Sequence, residues 1–190
     1  MEDKKFNPQK LDRLNNPERK KEFPIELIIK EAALDDPKGI IDIGAGTGFF
    51  SIPFAEKYKG SKVYACDISD TMLDWMKYNI LEKHSNIIPV KMDENKTPLD
   101  DEIADLLFMV NLHHELHNPE MMLKECYRLL KPKSTITISD WRKEETENGP
   151  SVNIRVEPGK VKEQLISAGF ENVRIFKDFP NNFLVLASKI

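Results

Sequence analysis

Residues 39–48 read GIIDIGAGTG, a short apolar run broken by one acid and followed by three glycines at alternate positions. With isoleucine at 40, 41 and 43 the segment has no polar face, which predicts a strand buried on both sides, as in a parallel sheet. Parallel neighbours cannot be joined by a tight turn; each needs a long crossover, usually a helix. The rest of the chain meets that demand. Helix-patterned FFSIPFAEKYKG is followed by strand KVYACD, helix SDTMLDWMKYNILEKH, strands NIIPVKM and IADLLFMV, helix NPEMMLKECYRLLK, strand STITISDW and helix PGKVKEQLISAG. Two extended runs, ENVRIFKDF and NNFLVLASK, joined by PNN, predict a closing hairpin. The expected fold class is α/β: a Rossmann-like, doubly wound, mostly parallel seven-stranded sheet with helices on both faces and a C-terminal antiparallel hairpin.

Local punctuation agrees with this pattern. Pro24 suits a first helical turn, and Pro53 requires its helix to begin near Phe50 or to bend. Ser69 and Asn118 are placed as helix caps, with Pro119 at the first helical position, and Gly169 marks a helix end. Residues 1–35, broken by Pro8, Pro17 and Pro24, read as an amphipathic helical extension or lid on the same domain, with Leu11 and Leu14 on one face. Residues 36–190 form the main domain, and no linker separates the two.

Composition narrows the class of partner. A net charge of −4 argues against nucleic acid, since a phosphate-binding face needs a basic excess. No apolar span of membrane length occurs, MEDKKFNPQK lacks the core of a signal peptide, and no membrane partner is expected. Cys66 and Cys126 fall in a strand-like and a helix-like run, which favours free thiols in a reducing compartment and a cytoplasmic location.

Why place the most flexible residues directly behind a strand? Glycine permits positive φ and lets a ligand approach bare backbone, and the helix behind it presents unpaired N–H groups. In open α/β sheets ligands bind beyond the carboxyl ends of the strands, where strand order reverses. Asp42 within the strand requires hydrogen bonds, from loop amides or a bound ammonium. Asp67, 23 residues past Gly44, ends the second strand where a carboxylate can take both ribose hydroxyls of a nucleoside. Asp93, after the third strand, lies within reach of an adenine amino group. The spacing is G-x-G-x-G, not the G-x-G-x-x-G of dinucleotide enzymes. A nicotinamide-dependent oxidoreductase and a non-catalytic adenosyl-ligand-binding protein nevertheless stay open as alternatives.

IIDIGAGTG, ACDISDTML, VKMDE and NLHHELHNPEMMLKECYRLLKP together resemble the class I S-adenosylmethionine-dependent methyltransferases, in the small-molecule branch that includes the ubiquinone/menaquinone-type enzymes. The resemblance covers residues 38–140 closely and implies S-adenosyl-L-methionine as cofactor. It implies that the backbone of Gly44, Ala45 and Gly46 faces the methionine part, that Asp67 holds the ribose, and that Met92 and Asp93 hold the adenine; Asp42 and Ile68, beside them, complete the candidate cofactor-binding residues. Asn111, at the end of the fourth strand, would touch the methionyl group through its backbone. The implied activity is in-line methyl transfer to a small-molecule acceptor, which needs alignment of the reacting atoms more than acid–base help. LKPKS replaces the family's LKPGG, so Lys133 and Ser134 imply a different turn, and little is inserted where relatives build a substrate lid.

For the acceptor side the residues themselves leave alternatives. His113, His114 and His117 cluster after strand four as pocket wall, as a general base at His114, or as a metal site; the spacing is not that of zinc peptidases, and no metal is expected. His113 and Trp141 are candidate substrate contacts, Trp141 having a core position as its alternative. Arg155 would suit an anionic substrate or a surface salt bridge. Arg19 and Phe23 would close the cleft if the N-terminal helices fold over it; otherwise they pack on the sheet's flank.

Overall fold

The computed structural model describes residues 11–21 and 24–190. Seven strands form one sheet: β1 Gly39–Ile43, β2 Lys62–Asp67, β3 Ile87–Lys91, β4 Ala104–Val110, β5 Leu130–Trp141, β6 Glu171–Phe176 and β7 Asn182–Ser188. Their spatial order is β3-β2-β1-β4-β5-β7-β6, with the first five parallel and β7 antiparallel to both neighbours. Strand order reverses between β1 and β4. Pro89, which cannot donate to a ladder, sits in the edge strand β3.

Successive strand residues enter opposite cores, as the pleat requires. Ile40, Leu106, Phe108 and Leu184 meet α2 (Ile25–Glu31), α3 (Ser51–Lys57) and α4 (Asp70–Asn79) through Ile28, Phe54 and Met76. Ile41, Leu107, Met109, Ile138 and Val185 meet α5 (Pro119–Leu129) and α6 (Pro158–Ser167) through Leu123, Cys126, Val161 and Leu165. The rings of Phe54 and Phe108 stack at 4.8 Å across the first of these faces. Both cysteines are buried free thiols.

The short α1 (Leu11–Leu14) and the 3-10 turn Pro17–Lys21 precede α2. Pro53 falls in the first turn of α3, which starts at Ser51 directly after Phe50. Asn118 caps α5, its Oδ1 accepting the Met121 N–H at 3.0 Å. Ser69 occupies the cap position of α4 but its hydroxyl makes no capping bond; the Asp67 carboxylate takes the Ser69 N–H instead, at 2.8 Å. In the LKPKS turn Lys133 adopts φ +66°, the left-handed conformation a glycine would take freely, and Lys133 N–H donates to the Lys189 carbonyl at 2.8 Å. Among the described residues no helix is long and apolar enough to cross a membrane.

Candidate active site

The parallel strands end along one edge, so residues far apart in sequence line up across it. In spatial order the edge carries Asp93, Asp67, Gly44, Asn111 and Trp141. The glycine loop lies where strand order reverses, the position at which such sheets bind ligands.

All three loop glycines have positive φ, +72° at Gly44, +57° at Gly46 and +73° at Gly48. Their surroundings differ. A Cβ on Gly44 would meet Leu112 Cδ2 at 2.7 Å, and one on Gly48 would meet Ile80 Cδ1 at 2.8 Å. Around Gly46 the nearest atom is Leu14 Cδ1 at 3.5 Å. At Gly44 and Gly48 the space a side chain would need is taken by the protein's own Leu112 and Ile80, so packing within the fold also requires glycine there. Of the three, only Gly46 would seat a Cβ without a clash, with Leu14 in ordinary van der Waals contact. Beside it, Thr47 is buried and its hydroxyl has no hydrogen-bond partner, an unspent polar group inside the loop.

Two carboxylates flank the loop, and the structure divides their work differently from the sequence reading. Asp42 accepts from the Ser51 hydroxyl at 2.6 Å; that partner, not a loop amide, meets its need. Burial pushes the Asp42 carboxyl up to about 7, with Ser51 pulling down, the Asp67 charge adding and Arg19 opposing. Asp67 takes the Gly46 N–H on Oδ2 and the Ser69 N–H on Oδ1, both at 2.8 Å. Burial raises Asp67 as well, against these backbone bonds and the Lys91 charge. Ala45 N–H and Gly44 N–H both donate to the Cys66 carbonyl, which closes the loop onto β2.

At the β3 end, Met92 is buried and donates its N–H to the Asp67 carbonyl at 3.1 Å. Asp93 is exposed on the following turn, bridged to Lys96, and lines a depression of about 530 Å³ with Lys96, Met121 and Lys124. Ile68 is 40% exposed, and its carbonyl accepts from Lys91 Nζ at 2.8 Å.

The histidines separate. His113 is buried, with Nε2 2.9 Å from Gln164 Oε1 and Nδ1 unpartnered; burial lowers its pKa. His114 is buried with Nδ1 2.7 Å from Asp140 Oδ1, and its backbone N–H donates to Asp140 Oδ2 at 2.8 Å. Burial opposes charge on His114, but the hydrogen bond and charge of Asp140, joined by Glu115, outweigh it and raise the pKa. His117 is exposed and pairs with Glu94 at 2.7 Å. The three rings thus have three unrelated partners. Among the described residues no group of His, Cys, Asp and Glu is arranged to hold a metal.

Trp141 is half-buried, and the Arg155 guanidinium lies 5.5 Å from its ring centre. Arg155 is buried and donates to the carbonyls of Arg142, Glu144 and Pro150 and to the Thr146 hydroxyl, so all five of its N–H groups are engaged. Both expectations for Arg155 are corrected. It neither meets an anion nor forms a surface salt bridge; it pins the loop after β5. Arg19 stands over the rings of Phe49 and Phe50, 5.4 and 4.8 Å from their centres, and donates to the Leu14 carbonyl at 2.5 Å. With Leu14 beside Gly46, this segment rests on the glycine loop, while α2 packs on the flank through Ile28. Phe23 lies outside the described residues.

Sequence reasoning missed Thr47, Ser51, Leu112 and Asn182. Ser51 carried a usable signal, a lone hydroxyl in the apolar run FFSIPF behind an acid-bearing strand. Asn182 carried none: in PNN it reads as a turn residue, yet it is buried and its Nδ2 donates to Asn111 Oδ1 at 2.6 Å.

Residues 40–133 match the family described as methyltransferase domain. A crystal structure of a SAM-dependent methyltransferase from Aquifex aeolicus is 32% identical, superposes with a TM-score of 0.91, and is covered over 100% of its chain by 98% of this one. A tRNA(Phe) (4-demethylwyosine(37)-C(7)) aminocarboxypropyltransferase from Methanocaldococcus jannaschii is 32% identical over 98 residues, 51% of this chain and 37% of that protein. A ubiquinone/menaquinone biosynthesis C-methyltransferase from Neisseria meningitidis is 30% identical over 117 residues, 60% of this chain and 47% of that protein. The chain thus spans less than half the length of these two curated relatives.

Proposed function

The chain belongs to the S-adenosylmethionine-dependent methyltransferases, and on that premise we propose that it methylates a small-molecule acceptor, using S-adenosyl-L-methionine as donor. The observation that carries this reading is the edge itself. A left-handed glycine loop tied to the Asp67 carboxylate through Gly46 N–H and an unspent Thr47 hydroxyl lie together at the strand reversal. The name of the Neisseria relative supports a small organic acceptor, and the acidic chain does not favour nucleic acid. Two buried free thiols fit a reducing compartment, which we take to be the cytoplasm.

When bound, the cofactor supplies a methyl group already activated by a positive sulfonium, open to in-line displacement. The chain's own part is to bind and to align. In this reading Asp42, Gly44, Ala45 and Gly46 surround the amino-acid end, with Thr47 offering its hydroxyl. Asp67 and Ile68 hold the ribose, while Met92 and Asp93 hold the base. Asn111 meets the methionyl group. Leu14 and Arg19 cover the loop, where water exclusion strengthens each polar contact.

On the acceptor side His114 is the general base for an acceptor carrying a proton. Asp140 fixes its Nδ1 and supports the charge it gains, leaving Nε2 to take the proton. Nε2 stands 3.7 Å from Glu115 Oε1, too far for a direct hydrogen bond. His113 and Trp141 form the wall.

The test combines calorimetry with product analysis. S-adenosylmethionine and S-adenosylhomocysteine should bind while the reduced nicotinamide cofactor does not; the opposite pattern would remove the reading. With methyl-labelled donor and a panel of quinols, phenols and amines, label should appear in an acceptor together with S-adenosylhomocysteine. Methylthioadenosine as the coproduct would instead indicate aminocarboxypropyl transfer, the chemistry for which the Methanocaldococcus relative is named. Donor binding without turnover on any acceptor would favour a binding protein.

A further inference from the structure

Asn111, directly after β4, has φ +55°, in the left-handed region that side-chain-bearing residues enter only when held there. Two bonds hold it. Its N–H donates to the Ser139 carbonyl at 2.8 Å, and its Oδ1 accepts from Asn182 Nδ2 at 2.6 Å. Asn182 opens β7, the antiparallel strand beyond residues 40–133 that the family match covers, and is 1% exposed. It pairs with Trp141 in the β5–β7 register, so Asn182, Trp141 and Ser139 share one face of the sheet. Asn182 Oδ1 and Ser139 Oγ are both buried without a hydrogen-bond partner. Such lone pairs call for a further polar group, from ligand or water, at this end of the sheet.

The fold explains why a residue so distant is needed. The β1–β4 register runs to Ile43 and Met109, two residues short of Asn111, and at Asn111 the hydrogen bonds come from the β5 and β7 side. The next residue, Leu112, fills the space in front of Gly44. The turn at Asn111 therefore sets the place of both the Asn111 peptide and the Leu112 side chain that backs the glycine loop.

We propose that Asn182 is a positioning residue for donor binding: it holds Asn111 in its left-handed turn and so fixes the backbone facing the amino-acid end of S-adenosylmethionine. This rests on the donor reading above. It assigns a cofactor-directed role to the C-terminal strand.

The experiment uses two probes that share a nucleoside but differ in the amino-acid end. Calorimetry measures S-adenosylmethionine and 5′-methylthioadenosine binding to the wild-type chain, to Asn182→Ala and to Asn182→Asp, which keeps the shape but removes the donating N–H. Each variant should weaken S-adenosylmethionine about tenfold, the equivalent of roughly 1.4 kcal/mol, and leave methylthioadenosine within twofold. In an Asn111→Gly background, where positive φ needs no support, Asn182→Ala should add little further loss. Equal weakening of both probes would make Asn182 a structural residue and overturn the proposal, as would unchanged affinity for both. Failure of the wild-type chain to bind S-adenosylmethionine would overturn the donor reading itself, a separate outcome read before any variant. If Asn182→Ala does not fold, Asn182→Asp decides between the same outcomes.

Discussion

The Asp67 carboxylate accepts the Gly46 N–H at 2.8 Å, so the acid that ends β2 also fastens the glycine loop that ends β1. The group assigned to the ribose therefore shapes the neighbouring part of the site before any ligand arrives. Asp67→Ala removes a hydrogen bond to a charged acceptor in addition to the ribose contact. Losses of this kind run to about 1.5–3 kcal/mol each. S-adenosylmethionine should weaken by at least about tenfold in calorimetry. The same substitution should speed amide hydrogen exchange at Gly46. Unchanged affinity would remove the ribose assignment.

Asp42 gives the fold a pH dependence with a definite sign. Its carboxyl is raised from 3.8 to about 7 by burial, so between those values the folded state holds a proton that the unfolded chain has released. Stability is greatest below about pH 4 for this group and is lost as pH rises to about 7. Across the full window the loss is of order 4 kcal/mol. Asp67, raised in the same direction, adds to it. Thermal melts of Asp42→Asn minus wild type, from pH 4 to 8, should show the variant gaining relative stability as pH rises. A flat difference would contradict the buried, proton-holding carboxyl.

Asp140 supports the charge on His114 against burial. In Asp140→Asn the ring stays buried but loses its counter-charge, so burial should dominate and the His114 pKa should drop below the usual imidazole value. The chain has four histidines, so imidazole NMR titration can follow each one. Asp140→Ala also strands the His114 backbone N–H and should cost about 3 kcal/mol in denaturant unfolding. His114→Asn should keep S-adenosylmethionine affinity within twofold and lower turnover by about a hundredfold. Joint loss of both would mark the histidine as structural.

Gly44 and Gly46 look equivalent in sequence and should respond differently to the same substitution. Both pay about 1–2 kcal/mol for a side chain at positive φ. At Gly44 the new methyl also strikes Leu112 Cδ2 at 2.7 Å, adding an overpacking cost of about 1–3 kcal/mol. Leu112→Ala should therefore relieve part of the Gly44→Ala loss, a coupling visible in a double-mutant cycle by chemical denaturation. It should not relieve Gly46→Ala, whose nearest neighbour is Leu14 at 3.5 Å. Equal coupling at both glycines would show that Leu112 is not what fills the space at Gly44.

The sequence by itself determined the strands, their alternation with helices and which strand-end residues share one edge of the sheet. Those follow from side-chain periodicity, turn residues and crossover length, all short-range in the chain, and so GIIDIG, KVYACD and IADLLFMV could be read as strands without knowing their neighbours. Partnership was a different matter, because burial and approach depend on elements far apart in sequence. Only the tertiary structure decided that Ser51 rather than a loop amide serves Asp42, that Leu112 stands before Gly44, and that Asp140 separates His114 from the other two histidines. Arg155 is the sharpest case. A lone cation in an uncharged stretch suggested an anion, yet the fold wraps residues 142–150 around it and spends every donor on backbone and one hydroxyl. A cation's partner is set by whichever acceptors the fold brings within reach once water is excluded, and that can be read only in three dimensions.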